Sequence, residues 1–149
     1  MTPTSFPCLY ILMRSDMASL NPGKAMAQAT HAANECVFLI RKWAKAAEEK
    51  GKNYQKYDHF KKMQKMLESW EEDRGFGTCI VLDIGSEANL QEFVAAAGTA
   101  GLRAGITHDP SYPVRDGDVT HLIPVDTCGF VFGEKEECSK VLGSLPLYK

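Results

Sequence analysis

The 149 residues are 44% apolar and 24% charged, which suits one globular domain large enough to bury its own core. No apolar run approaches a membrane span, and the N-terminus lacks the basic region and long apolar stretch of a signal peptide, so the expected compartment is cytoplasmic. Five cysteines, odd in number and without a Cys-x-x-Cys pair, argue for buried free thiols rather than a disulfide framework or a structural zinc.

The run Cys8-Leu9-Tyr10-Ile11-Leu12-Met13 reads as a buried strand over residues 8–14. Asn21 is a favoured N-cap and Pro22 suits the first helical position, so a helix is expected from Pro22 to about Glu49. Ala33, Val37, Ile40, Ala44 and Ala47 supply its apolar spacing, and Gly51 ends it. A second helix is expected over Tyr54 to Asp73, with Phe60, Met63, Leu67 and Trp70 on one face. Phe76 is read as the anchor of a glycine-flanked turn. Thr78 to Ile84 is the next strand, and Ser86 caps a third helix that runs to Ala97 or beyond. Arg103 to His108, Val119 to Pro124 and Cys128 to Phe132 are extended segments, and Glu134 to Leu142 is a short closing helix. Strand–helix–strand order predicts an α/β fold, with helices on both faces of a mixed sheet of about four strands. In such sheets the ligand site lies beyond the carboxyl ends of strands, where Arg14, the Lys24 turn and His108-Asp109 can meet.

Lys24 falls in the first turn of its helix, where a cation opposes the macrodipole. A stability argument would not place it there, and as a surface residue its removal should change stability by no more than about 0.5 kcal/mol. With Gly23 permitting close approach and helix N–H groups beside it, Lys24 makes a site for a phosphate or carboxylate. Gln28 and His31 follow at four and seven residues and share its face. The Ser/Thr and the spaced glycine of a P-loop are absent. Asp109 precedes Pro110, so the chain leaves the strand there; Asp-Pro also caps turns. Between Arg41 and Lys65 nine Lys/Arg face three acids, although the whole chain carries −2. That block is either a polyanion footprint or the solvated face of two helices.

A strand ending in Arg14-Ser15-Asp16, followed by Gly23-Lys24 and Ala27-Gln28-Ala29-Thr30-His31-Ala32-Ala33, resembles the opening of the type 2 peptidyl-tRNA hydrolases. Thr78 to Ile84, Ser86 to Leu90 with Ala100-Gly101-Leu102, Ile106 to Asp109, Thr120-His121, Ile123 to Thr127 and Gly143 to Leu147 resemble later stretches of that family in the same order. Residues 41 to 77 lie largely outside the likeness. The resemblance implies hydrolysis of the ester joining a peptide to the 3′ ribose of tRNA, with no cofactor or metal, and suggests a homodimer. It implies catalytic roles for Lys24, His31, Asp109, Thr120 and Thr127. Substrate contacts are expected from Arg14, Gly23 and Gln28, and from Lys56, Lys61, Lys62 and Lys65 of the basic block. Ester hydrolysis needs a water nucleophile, a proton acceptor and oxyanion donors. Asp109, if close to Lys24, stays charged and orients the water or holds Lys24 or His31; His31 is the other proton carrier. Thr120 and Thr127 would supply hydroxyl donors, and Lys24 charge. Pro110 to Val119 reads as an inserted loop, and the family's second threonine after Thr127 is blurred into Cys128-Gly129. The alternative is a non-catalytic module on the same fold that holds RNA through Lys24 and the basic helices.

Overall fold

The computed structural model describes residues 5–149. Its central strand, β1 (Pro7–Arg14), is apolar throughout because both of its faces are covered. Leu9, Ile11 and Met13 point into a core shared with helices α1 (Pro22–Lys50) and α2 (Tyr57–Glu72). Cys8, Tyr10 and Leu12 point into the opposite core, beneath α3 (Glu87–Thr99) and α4 (Lys135–Leu142). β1 pairs in parallel with β2 (Thr78–Gly85) and antiparallel with β4 (Val119–Glu134), which pairs antiparallel with β3 (Arg103–Asp116). The result is a four-stranded mixed sheet in the order β2-β1-β4-β3 with helices on both faces, as the sequence predicts. No helix among the described residues is long and apolar enough to cross a membrane.

The cap of α1 is as expected: Asn21 Oδ1 accepts from the Lys24 amide at 3.0 Å, Pro22 opens the helix, and Gly51 closes it at φ 87°. α2 begins at Tyr57 rather than Tyr54, because residues 52–56 form turns. The loop anticipated over Pro110 to Val119 is instead a long hairpin. β3 runs on to Asp116, a two-residue turn at Gly117-Asp118 reverses the chain, and β4 begins at Val119. The two segments expected at Val119–Pro124 and Cys128–Phe132 are one strand. The β3–β4 ladder slips twice, between Thr107 and His108 and between Asp109 and Tyr112. Pro110 and Pro124, which have no N–H to donate, lie opposite each other in the second slip.

Phe76 is exposed and anchors nothing; the turn is anchored by Trp70. Its Nε1 donates to the Thr78 carbonyl at 2.8 Å, and its ring lies against Gly77, which sits at φ 86°. A Cβ on Gly77 would stand 2.3 Å from the indole. Gly77→Ala should therefore lose about 1–3 kcal/mol, read from denaturant midpoints. An unchanged midpoint would show that this turn is not fixed by Trp70. Four of the five cysteines are buried free thiols as expected, whereas Cys79 is exposed.

Candidate active site

The N-terminal half of α1 runs along β3 beside the bulged part of the ladder, and three side chains interlock there. Gln28 Nε2 donates to Asp109 Oδ2 at 2.7 Å, and Thr127 Oγ1 donates to Gln28 Oε1 at 2.7 Å. Gln28 and Thr127 are both buried. A carboxylate can only accept, so Asp109 fixes which end of the Gln28 amide faces it, and the amide in turn fixes the Thr127 hydroxyl. Asp109 also caps its turn, with Oδ1 accepting from the Ser111 amide at 2.9 Å. Each carboxylate oxygen keeps lone-pair capacity for a further donor such as water. The bulge between Thr107 and His108 leaves Thr127 without a partner across the ladder and turns it inward toward α1.

Lys24 is not paired with Asp109. Its Nζ donates to the Pro113 carbonyl at 2.6 Å and lies 4.9 Å from the centroid of the buried Tyr112 ring. The lysine thus clamps the hairpin to the start of α1 and keeps two further N–H groups. An added Cβ at Gly23 would meet only Asn21 Oδ1, at an ordinary 3.6 Å, so no close approach depends on that glycine. The first-turn amide of Lys24 is already taken by Asn21.

A cleft of about 320 Å³ opens beside this cluster, lined by Gln28, His31, Glu35, Thr107, His108 and Asp109. His31 is an exposed wall of it, on the face that Lys24 and Gln28 predicted. Of the other members, His108 stands at the edge where the sequence puts it beside Asp109, whereas Thr107 and Glu35 are not singled out by the sequence. His108 Nδ1 lies 2.7 Å from Asp126 Oδ1; the carboxylate accepts, so Nδ1 carries the hydrogen and Nε2 is left open. The Thr107 hydroxyl is buried against the Cys128 thiol. Glu35 closes the helical stripe one turn beyond His31. Burial pushes the Cys128 thiol up to about 11, so it is not a thiolate nucleophile. Among the described residues no group of three or more His, Cys, Asp or Glu side chains is arranged to hold a metal ion.

Several expected members lie elsewhere. Arg14 binds within the protein: Nε and Nη2 donate to both oxygens of Asp16 at 2.9 and 3.0 Å, and Nη1 donates to the Asp126 carbonyl at 3.0 Å. The Asp16 hydrogen bonds raise the Arg14 pKa, and Arg14 lowers that of Asp16. Arg14 therefore ties the end of β1 to the strand that carries Asp126 and Thr127. Thr120 is exposed opposite Arg115 near the hairpin tip. It stands five residues beyond Val125, the ladder partner of Asp109, or about 17 Å along an extended strand. It cannot supply a donor in the cleft, because its strand continues away from it. Thr127 is within the cluster, but its single hydroxyl hydrogen goes to Gln28 rather than to the cleft. The basic block is also distant. Lys61 pairs with Glu48 at 3.0 Å, roughly 36 Å of helix beyond Lys24, while Lys62 and Lys65 share a pocket with Pro7 and Glu134 at the other end of the sheet. Lys56 lies just before α2, at that same far end.

Residues 8–148 match the family model described as peptidyl-tRNA hydrolase PTH2. None of the curated proteins compared with the chain matches it.

Proposed function

We propose that this chain, which belongs to the peptidyl-tRNA hydrolase PTH2 family, hydrolyses the ester between a peptide, or an N-blocked aminoacyl group, and the 3′ ribose of tRNA. The observation that carries the reading is the linked trio Asp109–Gln28–Thr127 beside a cleft holding two imidazoles. Packing alone does not require a buried Gln28; an apolar residue would fill the space without polar groups to satisfy. Its presence makes sense if the Asp109 carboxylate must be held in one orientation.

In this reading Asp109 accepts a hydrogen bond from the attacking water and aims its lone pair at the ester carbonyl. The water proton passes to an imidazole. His108 is already oriented, with Nε2 open, by its bond to Asp126, and His31 faces the same cleft. Attack converts the carbonyl oxygen to an oxyanion. The remaining N–H groups of Lys24 are the donors offered to it. Collapse expels the ribose 3′ oxygen, which takes a proton back from the imidazolium, and free tRNA and peptide leave. Thr127 acts through Gln28 as a positioning residue.

The test is direct: incubation with N-acetyl-aminoacyl-tRNA should release the blocked amino acid, and no release would remove the hydrolase reading. Lys62 and Lys65 are the part of the basic block proposed to meet the tRNA backbone. Lys62→Gln with Lys65→Gln should weaken tRNA binding and flatten its salt dependence, by about 0.7 to 0.9 in slope for each phosphate no longer neutralised. An unchanged slope would reduce the block to a solvated helix face.

A further inference from the structure

A second pocket, of about 540 Å³, opens at the other end of β3 from Asp109. Six residues separate Arg103 from Asp109, roughly 20 Å of strand, so the two sites do not overlap. One wall is aromatic. Trp43 stacks on Phe60 with centroids 5.8 Å apart, and Tyr54 stacks on the same ring at 6.4 Å. The opposite wall is small: Gly98 and Gly101 line it, and a Cβ built on either would meet no atom within 4 Å. Lys56, His59 and Arg103 contribute the basic groups of the lining, which includes no carboxylate. Among the described residues the Nε of Arg103 is buried without a hydrogen-bond partner. Burial lowers the pKa of this guanidinium, with Cys36 and Glu35 acting in the opposite direction. Among the described residues the guanidinium makes no side-chain hydrogen bond, so the part of it that lines the pocket keeps N–H groups for an anion.

We propose that this pocket binds a nucleobase together with its phosphate. Aromatic walls accept any base because every base has a π face, and Lys56 and Arg103 supply positive charge for the phosphate. An apolar peptide would leave Arg103 unpartnered, and a bare phosphate would leave the aromatic wall unused. The nucleotide can come free from solution or from an unpaired residue of RNA; the chemistry is the same. The inference stands on this pocket alone and does not depend on the ester hydrolysis proposed above.

Trp43 reports on the pocket directly, since the only other tryptophan, Trp70, is buried against Phe132. Adenosine 5′-monophosphate should quench its emission saturably. Adenosine and inorganic phosphate should each bind at least about tenfold more weakly, the worth of one stacking or charge-assisted interaction. Gly98→Leu should abolish the quenching by filling the pocket, without strain, because the position is helical and open. Arg103→Gln should weaken it about ten- to a hundredfold. Circular dichroism checks both folds, and Gly98→Leu carries the test if Arg103→Gln does not fold. A single-stranded RNA hexamer distinguishes the sources. Displacement of the mononucleotide by the hexamer assigns the pocket to RNA, and failure to displace bound mononucleotide assigns it to free nucleotides. Absence of saturable quenching in the wild type overturns the proposal, as does unchanged affinity in folded Gly98→Leu. A pocket covered by self-association, with no mononucleotide bound, overturns it equally.

Discussion

Asp109→Asn should lower single-turnover hydrolysis of N-acetyl-aminoacyl-tRNA by roughly 10²- to 10⁴-fold while leaving the fold intact. The fold survives because the hydrogen-bond chain can invert. The introduced asparagine would present Nδ2 toward Gln28, which then turns over to offer Oε1. Gln28 Nε2 would face Thr127 Oγ1, and a hydroxyl accepts as readily as it donates. The asparagine carbonyl still takes the Ser111 amide that Asp109 Oδ1 takes now. Every bond is kept, the two through Gln28 with their polarity reversed, so the substitution removes the charge and the basicity alone. Binding of uncleaved substrate should persist or improve, since a negative charge near the phosphates is gone. An equilibrium tRNA-binding measurement on the same variant separates the two effects. Full activity would leave Asp109 as a turn cap and shift the protein to a non-catalytic RNA-binding module.

The parts of this site that sequence shows are those set by local rules. Asn21, Pro22 and the spacing of Lys24, Gln28 and His31 depend on one helix and its cap, and all stand where the pattern puts them. The parts that sequence hides depend on register between strands. Whether His108 meets Asp126, and whether Thr107 and Thr127 turn inward, is decided by two slips in one ladder, and a slip changes which face each residue takes. The hairpin is obscured by its own prolines. Pro110 and Pro113 read as loop, and Pro124 as the end of a strand, because proline cannot donate to a ladder, yet they sit at or beside the irregularity where no donation is needed. Gly117-Asp118 is the countersignal, since a Gly-Asp pair between two extended runs favours a two-residue hairpin turn and Gly117 adopts φ 59°. That signal removes Thr120 from the site, because a hairpin carries its tip away from the sheet's core. Arg14 matches a family pattern, but sequence does not show that Asp16 and the Asp126 carbonyl already take three of its five N–H groups.

Lys24→Met should reduce hydrolysis by about 10²- to 10³-fold, the usual worth of one donor to a developing oxyanion. Methionine keeps the length of the stem and its apolar contact with Tyr112, and loses only the ammonium. The structure changes what else to expect. A solvated lysine would cost almost nothing to remove, but this one is half-buried and bonded to the Pro113 carbonyl, so stability should fall by about 1–2 kcal/mol. Two roles are therefore superimposed in one side chain: clamping the hairpin, and presenting charge to the substrate. They separate by temperature. If Lys24 only clamps, Lys24→Met assayed far below its melting midpoint should turn over at nearly the wild-type rate, because the hairpin stays docked. If it also meets the oxyanion, the deficit persists at every temperature where the fold is intact, and it lies in the rate of the bound complex rather than in substrate affinity. Single-turnover rates at saturating enzyme, measured beside thermal melts on the same preparation, decide between them. A wild-type rate in the cold would restrict Lys24 to the clamp.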